Sequence, residues 1–362
     1  MSKLSPTFHS AIPVPSAVAS LEIASSSSLY VCVGTDDGTV RVYDLSSSRA
    51  TKGIKSLGDE VSSVACSYNA SGVPTTVWAA AGRSALRFQL DTPKLILTVD
   101  DATCRLELGE DDEDVLNELR LSDNGKFMAF STDSGTVGTV EVSTSRVSRM
   151  RAKHNSICAT VKFVPDRPSE IVSGGYDSAI LHFDFKQGSV LSRHDVSSAP
   201  AESGIALSPP FIQCSAMSPS GLYVAGTADG RIWLGGGGEK APAASAGNKK
   251  KSRKWEGLRA EEGLWIQAAN GPVVAIAFSG PNVIASTLLG TIIVFSVTRN
   301  DANALQAAQI WTAASQNVAK VNAMAVNAQR LVLGGYSKVG KGMIETWRFG
   351  DARGSDQSVV TE

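Results

Sequence analysis

Seven short turn-like segments recur along the 362-residue chain, each set between two β-rich runs. They are Gly34-Thr-Asp-Asp-Gly38, Ala81-Gly-Arg-Ser84, Ser131-Thr-Asp-Ser-Gly135, Gly174-Gly-Tyr-Asp-Ser178, Gly226-Thr-Ala-Asp-Gly230, Ser286-Thr-Leu-Leu-Gly290 and the longer Gly334 to Gly342. Their spacing is about 43 to 60 residues. A period of that order means one small unit copied along the chain, not two or three ordinary domains.

Each turn joins the same pair of strands. The preceding run is continuously apolar, as in Leu29-Tyr-Val-Cys-Val33 and Lys126-Phe-Met-Ala-Phe130; the following run alternates, as in Thr39-Val-Arg-Val-Tyr43 and Thr291-Ile-Ile-Val-Phe295. Gly accepts positive φ and Asp bonds the turn backbone, so such a pair reads as a hairpin. Upstream lies a further short strand, for instance Val61–Ala65, Ile212–Met217 or Val273–Phe278. One unit therefore holds four short strands. Composition agrees: 33 glycines and only 19% charged residues suit turns and strands, while 43% hydrophobic residues supply a core. Long amphipathic helices are absent from the pattern.

The unit resembles a WD40 repeat, most clearly over His154 to Asp184. There His154 precedes the first strand, Ser173 ends the second, Asp177 lies in the turn, Phe183 stands where the family carries Trp, and Asp184 follows. The resemblance implies a structural tetrad of His154, Ser173, Asp177 and Phe183 that fastens the inter-blade loop to the hairpin. A buried Asp needs partners, and a His with a Ser can supply them. Other copies carry Tyr43-Asp44, Phe295-Ser296 and Trp347-Arg348 in place of Trp-Asp, and the second and fifth units keep least of the signature. The segment 151–168 is similar to the central blades of the WD repeat-containing protein 53 family, a likeness that extends over about residues 111–185.

The resulting expectation is an all-β, seven-bladed WD40-type β-propeller over residues 5–349, with a polar C-terminal tail at 350–362. The last unit ends at Trp347-Arg-Phe349 without a fourth strand. An unclosed blade leaves sheet edges free. The N-terminal segment Thr7–Ala11 is expected to close the ring, which places the two termini together.

Chemistry is sparse. Thirty-four basic residues balance 35 acidic ones, against binding of nucleic acid over the whole surface. Cys32, Cys66, Cys104, Cys158 and Cys214 are odd in number and never form C-x-x-C, so they read as small buried side chains in a reducing compartment. No apolar run approaches the ~18 residues of a membrane span, and no secretory signal is read at the N-terminus. The four histidines never stand at metal-ligand spacing. His182 reads as an exposed strand residue, and His9 and His194 as lying in outer strands or loops. Gly235–Gly238 lacks the Lys-Ser/Thr of a phosphate loop, and no G-x-S-x-G elbow is present. Asp37, Asp177 and Asp229 read as structural turn carboxylates. No catalytic residue, metal or cofactor is expected, and the chain reads as non-enzymatic. A hydrolytic propeller would need inward-facing Asp, Glu, Asn or His around its channel.

Two charged segments stand apart. Asp100 to Asp114 carries eight acidic residues against Arg105 and reads as a solvated rim loop, with a basic partner as its functional alternative. A Gly/Ala/Pro/Ser-rich insertion at 235–254 ends in Lys249, Lys250, Lys251, Arg253 and Lys254, a nuclear-localisation-like or polyanion-contacting run; Trp255 after it reads as the start of an outer strand. The WD40 resemblance adds one test, the Trp-Asp-x-Arg blade end of cullin-RING ligase receptors. Its nearest match is Phe183-Asp-Phe-Lys186, making Asp184 and Lys186 the protein-binding candidates, though Lys lacks the planar fork of Arg. The function expected is a protein-interaction scaffold, in its sharpest form a substrate-recognition subunit of a cullin-RING ubiquitin ligase. It would be cytoplasmic or nuclear, and a monomer within a larger complex. The alternative is a nuclear scaffold for chromatin or ribonucleoprotein assembly, in which the basic run is the one route to nucleic acid.

Overall fold

The computed structural model describes residues 4–24, 28–196, 208–235 and 263–350. Within them the chain forms seven sheets, each built on four antiparallel strands, the first carrying a fifth strand in addition. Blade 1 is β2 (Val18–Ile23), β3 (Tyr30–Thr35), β4 (Val40–Asp44) and β5 (Arg49–Lys55). Blade 2 is β6 (Val61–Tyr68), β7 (Pro74–Ala81), β8 (Ser84–Gln89) and β10 (Cys104–Glu107), with β9 (Ile96–Thr98) between the last two in sequence. Blade 3 is β11 (Leu116–Leu121), β12 (Phe127–Thr132), β13 (Val137–Glu141) and β14 (Arg146–Arg149). Blade 4 is β15 (Cys158–Phe163), β16 (Glu170–Gly175), β17 (Ala179–Asp184) and β18 (Ser189–Asp195). Blade 5 is β19 (Ile212–Met217), β20 (Tyr223–Thr227), β21 (Arg231–Gly235) and β22 (Leu264–Gln267). Blade 6 is β23 (Val273–Ser279), β24 (Asn282–Thr287), β25 (Thr291–Arg299) and β26 (Leu305–Ala314). Blade 7 is β27 (Lys320–Val326), β28 (Arg330–Tyr336) and β29 (Gly342–Arg348), completed by β1 (Thr7–Val14).

The first strand of each blade touches the first strand of the next, and β27 returns to β2, so the inner strands form a closed ring. β1 pairs antiparallel with β29, Thr7 opposite Arg348 and Val14 opposite Gly342. The N-terminal segment thus closes the propeller, as the missing fourth strand requires. Phe8 meets the Trp347 ring edge-on at 5.9 Å.

The core is divided into wedges between neighbouring blades. Cys32, Val42, Val64, Val77 and Phe88 fill the wedge between blades 1 and 2, and Ile284, Ile292, Leu331, Leu333 and Trp347 that between blades 6 and 7. Second strands such as Tyr30–Thr35 are covered on both faces, which is why they read as continuous apolar runs. The outer strand of blade 1, Arg49–Lys55, is polar and largely exposed.

Two sequence expectations change. The acidic segment 100–114 is not one rim loop. It includes β10, the outer strand of blade 2, because β9 diverts the chain to pair in parallel with β5 of blade 1 before returning. His182 is not exposed: it sits on a third strand, is 2% accessible, and its Nε2 lies 3.0 Å from a Glu170 oxygen. The basic run Lys249–Lys254, Trp255 and the tail 351–362 lie outside the described residues.

Candidate functional site

Three places bear on function: the face carrying the second-to-third-strand turns, the opposite face, and the channel between them.

The turn face is held together by carboxylates. In blade 4 the His154 Nδ1 lies 2.8 Å from Asp177 Oδ1, and its Nε2 lies 2.8 Å from Ser173 Oγ. Asn155 N donates to the other Asp177 oxygen at 3.1 Å, so one side chain ties the inter-blade loop to the hairpin. Burial opposes ionisation of Asp177, but the His154 contact and the Asn155 and Ala179 N–H groups outweigh it and hold its carboxyl below the usual range. Phe183 is fully buried beside Val161, Ile171 and Leu181 and adds packing without a donor.

In blades 1 and 5 the turn carboxylate bonds within its own hairpin. Thr35 and Thr227 donate to Asp37 and Asp229 at 2.6 Å, and Arg231 Nε reaches Asp229 at 2.7 Å. In blade 3 the acid comes from the inter-blade loop: buried Asp114 accepts from Ser134 N at 2.8 Å and Glu110 N at 2.7 Å. In blade 7 it comes from the third strand. Glu345 is fully buried and accepts from Gln316 N, Asn317 N and Trp347 Nε1 at 2.9, 2.6 and 2.8 Å. Glu345 carries no motif and was not legible as an anchor.

Much of the acidity of 100–114 is consumed locally. Asp101 pairs with Lys94, Glu107 with Arg83 and Arg105, Asp112 with Arg83, and Glu110 with Lys153. Elsewhere on this face two apolar tips project into solvent, Leu289 at 78% exposure on the blade 6 turn and Val339 at 80% on that of blade 7.

On the opposite face, Asp184 ends β17. Its Oδ1 accepts from Lys186 N and Gln187 N, both at 3.0 Å, fixing the turn into β18. Lys186 itself is exposed. Asp184 and Lys186 therefore share one turn, but the acid has a structural duty there.

The channel is built from a repeated irregularity. Every inner strand carries one register shift near its start, around Ala19, Ser62, Asn117, Ala159, Gln213, Val274 and Asn322. All seven of these residues line the narrow part of the channel, about 180 Å³ in volume. A bulge leaves backbone groups out of the ladder, and they require other partners. At five of the seven bulges a side chain of the preceding blade supplies one. Asn322 Nδ2 donates to Val18 O, Ser20 Oγ to Val61 O, Ser62 Oγ to Leu116 O, Asn117 Nδ2 to Cys158 O, and Cys214 Sγ to Val273 O.

Below this ring lies a charged cluster. Lys162 Nζ donates to Glu118, which also accepts from Val161 N at 2.8 Å and from Arg120 Nη2 at 3.3 Å. Burial disfavours the Glu118 carboxylate, but the charges of Lys162 and Arg120 prevail and hold it below the usual range. Burial pulls the Lys162 ammonium down to about 8 and pushes the Glu22 carboxyl up to about 7. Among the described residues no three His, Cys, Asp or Glu side chains group as a metal site, and no helix is long and apolar enough to cross a membrane.

Comparison with known proteins agrees with this architecture. Residues 7–44 match the family described as WD40: WD domain, G-beta repeat. The chain is 24% identical over 213 residues to the WD repeat-containing protein 53 homolog of Dictyostelium discoideum. That match covers 54% of this chain and 55% of the relative, so it spans about half of each. With seven closed blades, the turn anchors and these matches, the chain is a WD40-repeat β-propeller, a distant homologue of that protein.

Proposed function

We propose that this propeller is a protein-interaction scaffold whose main docking surface is the turn face over blades 6 and 7. The observation that carries this is the pair of solvent-projecting tips, Leu289 and Val339, on neighbouring turns of one face. Exposed apolar side chains that gather on one part of a surface mark interaction sites. They also supply the buried anchors around which an interface forms. WD40 propellers in general serve as such scaffolds, with rigid blades presenting variable loops.

The sharper reading is a cullin-RING substrate receptor that holds its substrate on the turn face and contacts the ligase adaptor through Asp184 and Lys186 on the other. It is supported by the Phe183-Asp-Phe-Lys186 blade end and by the exposure of Lys186. Affinity purification from the native cell, read by quantitative mass spectrometry, tests both readings. Leu289→Glu with Val339→Glu should deplete the main partners at least tenfold while leaving the melting temperature unchanged. Lys186→Glu, which keeps the Asp184 turn, should deplete the adaptor alone. Partner sets identical to wild type in the first variant would refute the scaffold surface, and an unchanged adaptor in the second would refute the receptor reading. The alternative, a nuclear scaffold, rests on the basic run Lys249–Lys254. Its deletion should then abolish nuclear retention or nucleic-acid capture.

A further inference from the structure

The channel widens toward the face opposite the turns into a cavity of about 620 Å³. That lies within the ~300–1,000 Å³ range of small-molecule sites. Six blades line it. Its lining mixes polar groups with an apolar part that includes Phe163, Met217, Phe278 and Met324, and its inner end carries Glu22, Arg120 and Lys162. Apolar side chains beside a few convergent polar groups can seat the two ends of an amphipathic ligand.

The polar end is incompletely satisfied within the protein. Lys162 and Glu118 neutralise one another. The Arg120 guanidinium gives one N–H to Glu118, but among the described residues its Nε has no hydrogen-bond partner, and neither has Glu22 Oε2. Buried polar groups are rarely left so. With Glu22 close to its midpoint at neutral pH, the cluster carries a net positive charge whenever that carboxyl is protonated. A guanidinium with free N–H groups matches the two oxygens of a carboxylate. Asp123 and Asp166 also border the cavity, but both are exposed on turns at its outer rim, where solvent screens them.

We propose that this mouth of the channel is a binding site for a small monocarboxylate with an apolar body, its carboxylate against Arg120 and its body against Phe163, Met217, Phe278 and Met324. Glu22, protonated, donates to the second carboxylate oxygen, so binding takes up a proton at neutral pH. Burial does most to hold this proton on Glu22 and the Glu118 charge of blade 3 adds to it, while Arg120 of blade 3 and the Cys66 N–H of blade 2 oppose it. The site is independent of the docking surface on the other face.

Titration calorimetry of the full chain with octanoate, 1-octanol and octylamine tests it. Octanoate should bind saturably at one per chain, and the alcohol and amine at least tenfold more weakly. Arg120→Gln should weaken octanoate at least tenfold. Glu22→Gln should retain binding but abolish the proton uptake seen on changing buffer. Ala277→Phe, which fills the cavity without altering its charge, should remove binding if Arg120→Gln fails to fold. Equal binding of octanol and octanoate overturns the proposal. So does undiminished octanoate binding in either the Arg120→Gln or the Ala277→Phe variant, or no saturation of the wild type at millimolar octanoate.

Discussion

A turn carboxylate is the common fastener of this propeller, but the residue supplying it moves from blade to blade. Asp37, Asp177 and Asp229 stand in turns, Asp114 in an inter-blade loop, and Glu345 on a third strand. In blades 3, 4 and 7 the acceptor lies between the hairpin and the loop that enters its blade, whereas Asp37 and Asp229 accept within their own hairpins. Removing such an acceptor strands buried donors, which costs more than the bond was worth. Asp177→Ala leaves His154 Nδ1 and Asn155 N without their acceptor and should destabilise the protein by about 3 kcal/mol at pH 7. Because the folded-state pKa of Asp177 lies below its ordinary value, its contribution is present above the unfolded-state pKa near 4 and is lost as pH falls through the folded one. Urea unfolding should therefore show the gap between wild type and Asp177→Ala narrowing between pH 5 and pH 2. A gap that stays constant would mean the carboxylate is not what stabilises this turn.

Among the elements, β1 is held in place by the need of β29 for an outer neighbour. A variant lacking residues 1–15 loses both the ladder from Thr7 to Val14 and the Phe8–Trp347 contact, and leaves the edge of β29 open. It should melt well below wild type and self-associate with rising concentration, as read by light scattering after size exclusion. A stable monomer with an unshifted melting temperature would show that β1 is dispensable. This closure was legible because the seventh unit is visibly one strand short. The hairpins were legible too, since Gly and Asp mark their turns whatever surrounds them. The strand β9 was not: Ile96–Thr98 has no alternation, and its parallel pairing with β5 depends on a path through another blade. The inter-blade bonds were equally hidden. Asn322 meets Val18 across 304 residues, and an isolated Asn in an apolar run gives no sign of which bulged carbonyl it will reach. The Glu22, Arg120 and Lys162 cluster escaped notice for the same reason. It is assembled from three blades, and no segment of chain contains it.

For the whole molecule, closure is a property of strand pairing and not of chain order. Every blade stacks on two neighbours through the same kind of wedge, and the described ends of the chain meet in blade 7. The cut between N- and C-terminal segments could then lie in another blade without changing any contact. The turn at Ser46–Ser48 suits such a cut: it is exposed, it connects the third and outer strands of blade 1, and Ser48 occupies the left-handed region at φ 58°. Joining residue 350 to residue 5 by a short Gly/Ser linker and opening the chain between Ser47 and Ser48 makes β5 the closing strand instead of β1. The permuted chain should fold as a monomer and melt cooperatively within about 5 °C of wild type, less than the shift expected from losing one strand's pairing. If it aggregated, or melted as low as the variant without residues 1–15, the order of the chain would contribute to closure beyond pairing itself. Matching stability would instead establish that the ring is held by seven equivalent seams, with β1 filling whichever edge the chain happens to leave open.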